Sequence, residues 1–305
     1  GHGNIETAVS AIKSGAYDYI EKPFKADRLL LVAERAIEAS KLRRQGKDLG
    51  ERSADMAEAV GHSTAMNHLR QTIERIAPTN SRIMIIGASG TGKEMVARSI
   101  HRHSHRKAGP FVALNAAAIT PDRMEIELFG TEAVNGSGRK VGALEEAHGG
   151  TLYIDEVADM PRETQNKILR VLVEQQFERV GGSNKVKVDV RILSSTARNL
   201  EEMIRRSEFR EDLFHRLAVV PLKVPSLSER REDIPLLVSA FMDQIGRQTG
   251  IRGVTIGEDA MAVLQAHDWP GNVRQLRNNI ERLMILSGGE PLLRRLGGGP
   301  GDDHV

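Results

Sequence analysis

The stretch Arg82–Ala97, RIMIIGASGTGKEMVA, constrains this chain more than any other. It opens on Ile83-Met84-Ile85-Ile86, a short apolar run rich in β-branched residues, which reads as a buried strand of a parallel sheet. Gly87-Ala88-Ser89-Gly90-Thr91-Gly92-Lys93 follows, and then a helical pattern in Met95, Val96, Ser99 and Ile100. Strand, glycine loop and helix in that order are the context of a phosphate-binding loop. The glycines let backbone N–H groups turn inward with no Cβ in the way, and the helix N-terminus adds partial positive charge. Lys93 supplies a full charge for the β- and γ-phosphates. The spacing Gly87-x4-Gly92-Lys93 fits such a loop, although Glu94 stands where a Ser or Thr is usual. The candidate nucleotide-binding residues here are Gly87, Ser89, Gly90, Thr91, Gly92, Lys93 and Glu94.

Strands and helices alternate beyond this loop. Phe111–Asn115, Gly150–Glu156, Val188–Ser195 and Val219–Val224 read as strands, and Pro121–Phe129 and Pro161–Gln175 as helices. Alternation of this kind predicts an α/β fold with a parallel sheet and ligands at the carboxyl ends of its strands. From Arg231 onward the pattern is helical only, over 232–248, 258–267 and 272–286, which predicts a small helical domain after the sheet. In the last of these helices Val273, Leu276, Ile280, Leu283 and Met284 mark a packing face. Residues 288–305 are glycine-rich and read as a disordered tail.

The second chemical signal is Leu152-Tyr153-Ile154-Asp155-Glu156, two acids at the end of a buried strand. Beside a phosphate loop, the first suits a hydrated Mg²⁺ and the second suits orienting a water toward the γ-phosphate. ATP and Mg²⁺ are the cofactors this pairing implies. The absence of cysteine excludes disulfides and thiolate metal sites. No apolar run approaches the ~18 residues of a membrane span. The formal net charge of +2 argues neither for nor against nucleic acid. His101, His103 and His105 alternate by two, which on a helix scatters them around the circumference and does not build a metal site.

The N-terminal 45 residues read as helix, strand and helix, too little to close a core. Residues 46–58 are polar with two glycines and read as a linker. The chain opens on Gly1 and not on Met, as expected of a piece of a longer protein.

GASGTGKE, ELFG, GGTLYIDEVADMP, FERVGG, FREDLFHRL, RREDIP and WPGNVRQLRN occur in this order. Together they resemble the AAA+ domain of bacterial sigma-54-dependent activators, and the run RKVGALEEAHGGTLYIDEVADMPRETQNKILRVL most resembles the NtrX-type nitrogen regulators. GHGNIETAVSAIKSGAYDYIEKPF looks like the last third of a response-regulator receiver domain. The resemblance implies this division: 1–45 receiver, 46–58 linker, 59–225 ATPase, 226–287 helical lid. It also implies a cytoplasmic two-component regulator that hydrolyses ATP in an oligomer, from dimer to hexameric ring. A sensor histidine kinase would act on the complete receiver, and promoter DNA would be bound by a further domain.

Residue by residue, the resemblance assigns Lys93 to the phosphates and Asp155 to the Mg²⁺-bound water. Glu156 positions the attacking water, and Asn115 holds that Glu in an inactive pose. Thr196 is the polar sensor on the fourth strand, and Ala197 stands where relatives often carry Asn. Arg210 and Arg216 reach the neighbouring subunit's ATP, and Arg274 is the lid arginine. Val60 and Gly61 lie against the adenine ring. In the receiver piece, Lys22 contacts the phosphoryl group and Pro23 follows it in cis.

One departure bears on partners. Activators of this family touch the sigma factor with a GAFTGA loop, and here Thr131–Lys140 lacks the Phe-Thr tip. The resemblance therefore carries the ATPase reading without carrying contact to the sigma-54 polymerase. An alternative stays open: a nucleotide-sensing scaffold with little turnover that displays DNA-binding domains.

Overall fold

The computed structural model describes residues 61–132, 139–251 and 254–287. All lie within the compact unit Ala57–Val305. Readings made on 1–60, 133–138 and 288–305, including the receiver piece, Lys22, Pro23, Val60, the linker and the tail, lie outside the described residues.

Helix α1 (Thr64–Ile76) leads into β1 (Ile83–Ile86), the glycine loop and α2 (Lys93–Arg102). Then come β2 (Phe111–Asn115), α3 (Pro121–Phe129), α4 (Ala143–Glu146), β3 (Thr151–Asp155) and α5 (Arg162–Glu174). A hairpin of β4 (Gln176–Glu178) and β5 (Lys185–Lys187) precedes β6 (Arg191–Thr196), α6 (Leu200–Arg205), α7 (Glu211–Leu217) and β7 (Val220–Lys223). The main sheet has five parallel strands in the order β2-β3-β6-β1-β7. The α/β class read from the alternation is the observed one. β1 and β2 have the bounds read from the sequence, and β3, β6 and β7 differ by one to three residues, the largest shift being at the start of β6.

The apolar strands are apolar because both faces of the sheet are covered. Ile83 and Ile85 pack with Leu193, Tyr153 and Leu222 against α1 and α2 through Met66, Leu69, Met95, Val96 and Ile100. Met84, one residue out of phase, joins Leu152, Ile154 and Ile192 on the other face, against Leu128, Ile168, Val171 and Leu213. That period of two splits one strand between two cores. β7 carries Pro221, which a sheet accepts at an edge, and β7 is an edge.

A 3₁₀ segment, Leu227–Asp233, opens the second region, closed by a capping box between Ser226 and Glu229. Helices α8 (Ile234–Thr249), α9 (Glu258–Ala266) and α10 (Asn272–Ser287) follow. Leu237, Phe241, Ile245, Trp269, Val273, Leu276, Ile280 and Met284 form their core. The face predicted for the last helix is the buried one, with Leu283 at its margin.

Candidate nucleotide site

Both chemical signals of the sequence sit at carboxyl ends of strands. The glycine loop follows β1, and Asp155-Glu156 close β3, with β6 between the two strands. Gly87 N–H donates to Thr196 O at 3.2 Å, which ties the loop to the end of β6. Gly90 and Gly92 have φ of 77° and 96°, the left-handed conformation a tight loop needs and glycine reaches without strain. Gly92 is the N-cap of α2, so Lys93 opens that helix. Thr91 is buried and its hydroxyl donates to Ala88 O at 2.8 Å.

Lys93 is 6% exposed, and its ammonium makes three contacts. It donates to Gly87 O at 3.0 Å and Ala88 O at 3.4 Å, and it pairs with Glu156 Oε1 at 2.9 Å. The sequence placed these two residues in one site, and here they touch. Glu94 instead turns outward to Arg98, which donates to it through Nε at 3.1 Å and Nη2 at 2.8 Å.

Glu156 has φ 50°, a left-handed conformation at a non-glycine residue. Its N–H donates to Ser195 Oγ at 3.2 Å, and its Oε2 accepts from Ala197 N–H at 3.0 Å. Asp155 Oδ1 accepts from Tyr153 O–H at 2.8 Å and from the Ser195 hydroxyl. Burial, reinforced by the Asp155 charge, pushes the Tyr153 phenol far up, so it stays a donor. With Oδ1 occupied, Oδ2 is the oxygen that suits a metal-bound water.

Asn115 and Thr196 each make local hydrogen bonds in this conformation. Asn115 Oδ1 accepts from Ala117 N–H at 2.9 Å and caps a 3₁₀ turn, while Lys93 and Ala197 hold Glu156. The physical reason is proximity: Asn115 has an N–H two residues on, and a cap satisfies its amide oxygen locally. Thr196 is buried, and its hydroxyl exchanges hydrogen bonds with the Arg198 backbone at 3.0 and 3.3 Å.

The two arginines of FREDLFHR part company, as their spacing of six suggests. Arg210 is the N-cap of α7, bound in a fork to Asp212 at 2.8 and 2.6 Å and to Asn166. Arg216 is exposed and makes no ion pair among the described residues. Arg216 lies four residues before Val220, which pairs with Ile83 at the amino end of β1; burial, and then the charge of Arg216, hold the Arg82 guanidinium below its usual value. Arg82 precedes β1, at the end opposite the glycine loop, and its carbonyl accepts from Val220 N–H at 3.2 Å.

The lid arrives from the other side. Arg274 is exposed, and its N–H donates to Gly90 O at 3.3 Å. Gly61 O accepts from Arg70 Nη2 at 2.5 Å. Asp233, 2% exposed, accepts from His62 N–H at 2.6 Å, Ser63 N–H at 2.8 Å and the Ser63 hydroxyl at 2.6 Å. It pins the segment beside Gly61 to the start of the lid. Tyr153, Ser195, Asp233 and Asn272 are site residues that the sequence reading missed. Asp233 left a trace, the carboxylate that ends the charged run Glu229–Asp233 just before the apolar helix start, and Asn272 left another, a Trp-Pro-Gly-Asn turn.

A parallel sheet in this order, a glycine loop after β1, paired acids after β3 and a helical lid on the loop define a P-loop ATPase fold of the AAA+ class. Residues 59–223 match the sigma-54 interaction domain family, and residues 228–295 match the AAA+ ATPase lid domain. The chain belongs to the sigma-54 interaction domain family. It is similar to the nitrogen assimilation regulatory protein NtrX of Azorhizobium caulinodans, 64% identical over 95% of this chain and 64% of that protein. The DNA-binding transcriptional regulator NtrC of Escherichia coli K12 is 43% identical over 96% of this chain and 63% of that protein. NtrX of Brucella abortus, solved in complex with ADP, superposes with a TM-score of 0.77 at 73% identity, covering 95% of this chain and 65% of that one. The same protein in complex with ATP superposes with a TM-score of 0.74 at 71% identity, over 94% and 62%. The chain spans a little under two thirds of these relatives' length.

Proposed function

We propose that this chain is the ATPase part of a two-component transcription regulator, that it binds and hydrolyses ATP, and that its active sites are shared between subunits of a ring. The observation that carries this is the separation of charges along β1. Lys93 and Glu156 meet at the carboxyl end of that strand, and Arg216 lies four residues before Val220, which pairs with Ile83 at the amino end. Four residues of strand put about 13 Å between the two ends. That separation supports a role for Arg216 at a neighbour's phosphates rather than at its own subunit's.

In this reading the phosphates of ATP take over Lys93 from Glu156 and from the carbonyls of Gly87 and Ala88. Glu156, released from the ammonium, orients the attacking water. The N–H groups of the loop after Gly87 would face the phosphates, and Val60 and Gly61 would lie against the adenine. Asp155 would hold Mg²⁺ through water on Oδ2, where the ion would neutralise charge on the β- and γ-phosphates. Arg216, and Arg210 once freed from Asp212, would stabilise charge developing on a neighbour's γ-phosphate. Such a contribution is typically about 10³–10⁵ in rate. Arg274 and Thr196 would sense the phosphates after movements that bring them in, and Asn115 would act on Glu156 in a signalled state.

Residues 1–45 would be the end of a receiver addressed by a histidine kinase. Residues 46–58 would link it to the ATPase of 59–225 and the lid of 226–287, in a cytoplasmic protein. Promoter DNA would be bound by a domain further along the full protein. The sequence of Thr131–Lys140, without a Phe-Thr tip, favours a second reading in which nucleotide state sets assembly with little turnover and without contact to the sigma-54 polymerase.

Mixing Glu156→Gln with Arg216→Ala tests the shared site. Some interfaces then pair an intact Glu156 with an intact Arg216, and ATPase activity returns in part. No recovery, with both variants still assembling with wild type, would refute a shared site.

A further inference from the structure

Asn272 stands where the lid meets the phosphate loop. Its backbone is left-handed, φ 52°, and it is 3% exposed. The side-chain nitrogen donates to Ser89 O at 3.0 Å and to Pro270 O at 3.3 Å. The side-chain oxygen accepts from Leu227 N–H at 2.8 Å. Both donors and one acceptor site of the amide are thus committed to three separate segments. Leu227 begins the lid, three residues after Val224, whose N–H still bonds to Ile86 O of β1 at 2.8 Å. A contact of Arg274 N–H with Gly90 O at 3.3 Å runs alongside. A Cβ on Gly90 would stand 2.2 Å from Gly271 O, so the lid turn rests on the loop backbone itself.

The peptide plane gives these contacts a direction. In a trans peptide the C=O and the following N–H point to opposite sides of one rigid unit. Fixing Ser89 C=O toward the lid fixes Gly90 N–H away from it, and fixing Gly90 C=O does the same for Thr91 N–H.

We propose that Asn272 is a positioning residue: it sets the Ser89–Gly90 peptide so that its N–H faces the bound phosphate, and it carries movement of that peptide to Leu227, where the lid begins. The inference rests on the nucleotide-site reading above. It differs from a plain packing role in one respect. A packing residue would hold α10 in place whether or not nucleotide is bound, and a link of this kind makes the start of the lid respond to phosphate.

Two variants of the full chain test it. Asn272→Gly keeps the positive φ and removes the side chain. Asn272→Asp keeps the shape and sets a carboxylate against Ser89 O. Affinity for a fluorescent ADP and hydrogen exchange over residues 227–249 are measured for each, with Lys93→Ala as reference. ADP affinity falls about tenfold in Asn272→Gly, as loss of the donor to Ser89 O and the acceptor for Leu227 N–H predicts, and further in Asn272→Asp. Exchange of α8 without ADP stays as in wild type, and the slowing that ADP produces at Leu227–Asp233 is lost. Wild-type affinity in both variants, or undiminished ADP protection at Leu227–Asp233, overturns the inference alone. So does faster exchange of α8 without ADP at unchanged affinity, which is the packing role. If wild type binds no ADP and matches Lys93→Ala, the nucleotide reading falls and takes this inference with it.

Discussion

At the scale of single residues, buried charge is spent on backbone groups as often as on acids. Arg191 is 2% exposed and donates to Ala77 O at 2.7 Å, Ser81 O at 3.1 Å and Ile76 O at 3.2 Å. Two of those carbonyls end α1, where a cation also meets the negative end of the helix dipole. Burial, and then Arg106, bring the Arg191 guanidinium down to about 10, still charged at neutral pH. Arg191→Met keeps the bulk and leaves the Ala77 and Ser81 carbonyls unpaired, while Ile76 O keeps Thr79, so it should cost about 3 kcal/mol, read as a lower urea midpoint. His101 gives a pH prediction. Burial lowers its pKa, backbone hydrogen bonding at Gly109 opposes this, and Arg191, Arg98 and Arg102 add to the lowering. Its Nδ1 lies 2.9 Å from Thr151 Oγ1. The unfolded chain then takes up a proton near pH 6.5 that the folded chain refuses. The stability is fully present above that pH and is lost as pH falls below it. Between pH 8 and 5.5, wild type should lose about 2–4 °C of melting temperature more than His101→Gln. Equal losses would show that His101 does not carry the effect.

At the scale of elements, the loop between β1 and α2 depends on what approaches it from outside. Gly90→Ala meets both a left-handed φ and the Gly271 carbonyl, so the start of α10 must move off the loop. ADP binding should be lost or reduced more than tenfold in this variant while β1 and β6 keep their slow hydrogen exchange. Retained affinity would show that the lid contact is dispensable. The elements legible in the sequence were those whose burial writes a period: β1, β2, β3, α5 and α10 were placed to within a residue or two. The hairpin β4–β5 was missed because its three-residue strands expose most of their side chains and carry Glu and Lys. α6 and α7 were missed because six or seven residues hold too few turns to show a stripe. The same logic divides the site. Lys93, Asp155 and Glu156 are legible because loop, strand and acid are contiguous in sequence. Ser195 serves Asp155 from 40 residues away and Asn272 serves Ser89 from 183, and no local pattern encodes a partner at that range.

At the scale of the molecule, the proposed shared site would make turnover a property of an assembly. Under that proposal specific ATPase activity should rise with protein concentration, while ADP affinity per subunit stays flat, because Lys93 and the loop are complete in one chain and Arg216 would serve another. A specific activity independent of concentration, across a range in which light scattering shows association, would sink the shared site. The sheet order has a consequence of a different kind, for synthesis. β1 pairs only with β6 and β7, so the strand that carries the glycine loop has no sheet neighbour until residues 191–196 have been made. Contacts at such separation slow folding and leave apolar strands exposed to wrong partners meanwhile. Its second neighbour comes only with residues 220–223, and Asn272 follows later still. A nascent chain therefore carries its most recognisable motif without a complete site until the residues through Asn272 have been made, and the ability to hold nucleotide is then a report that the whole domain is present.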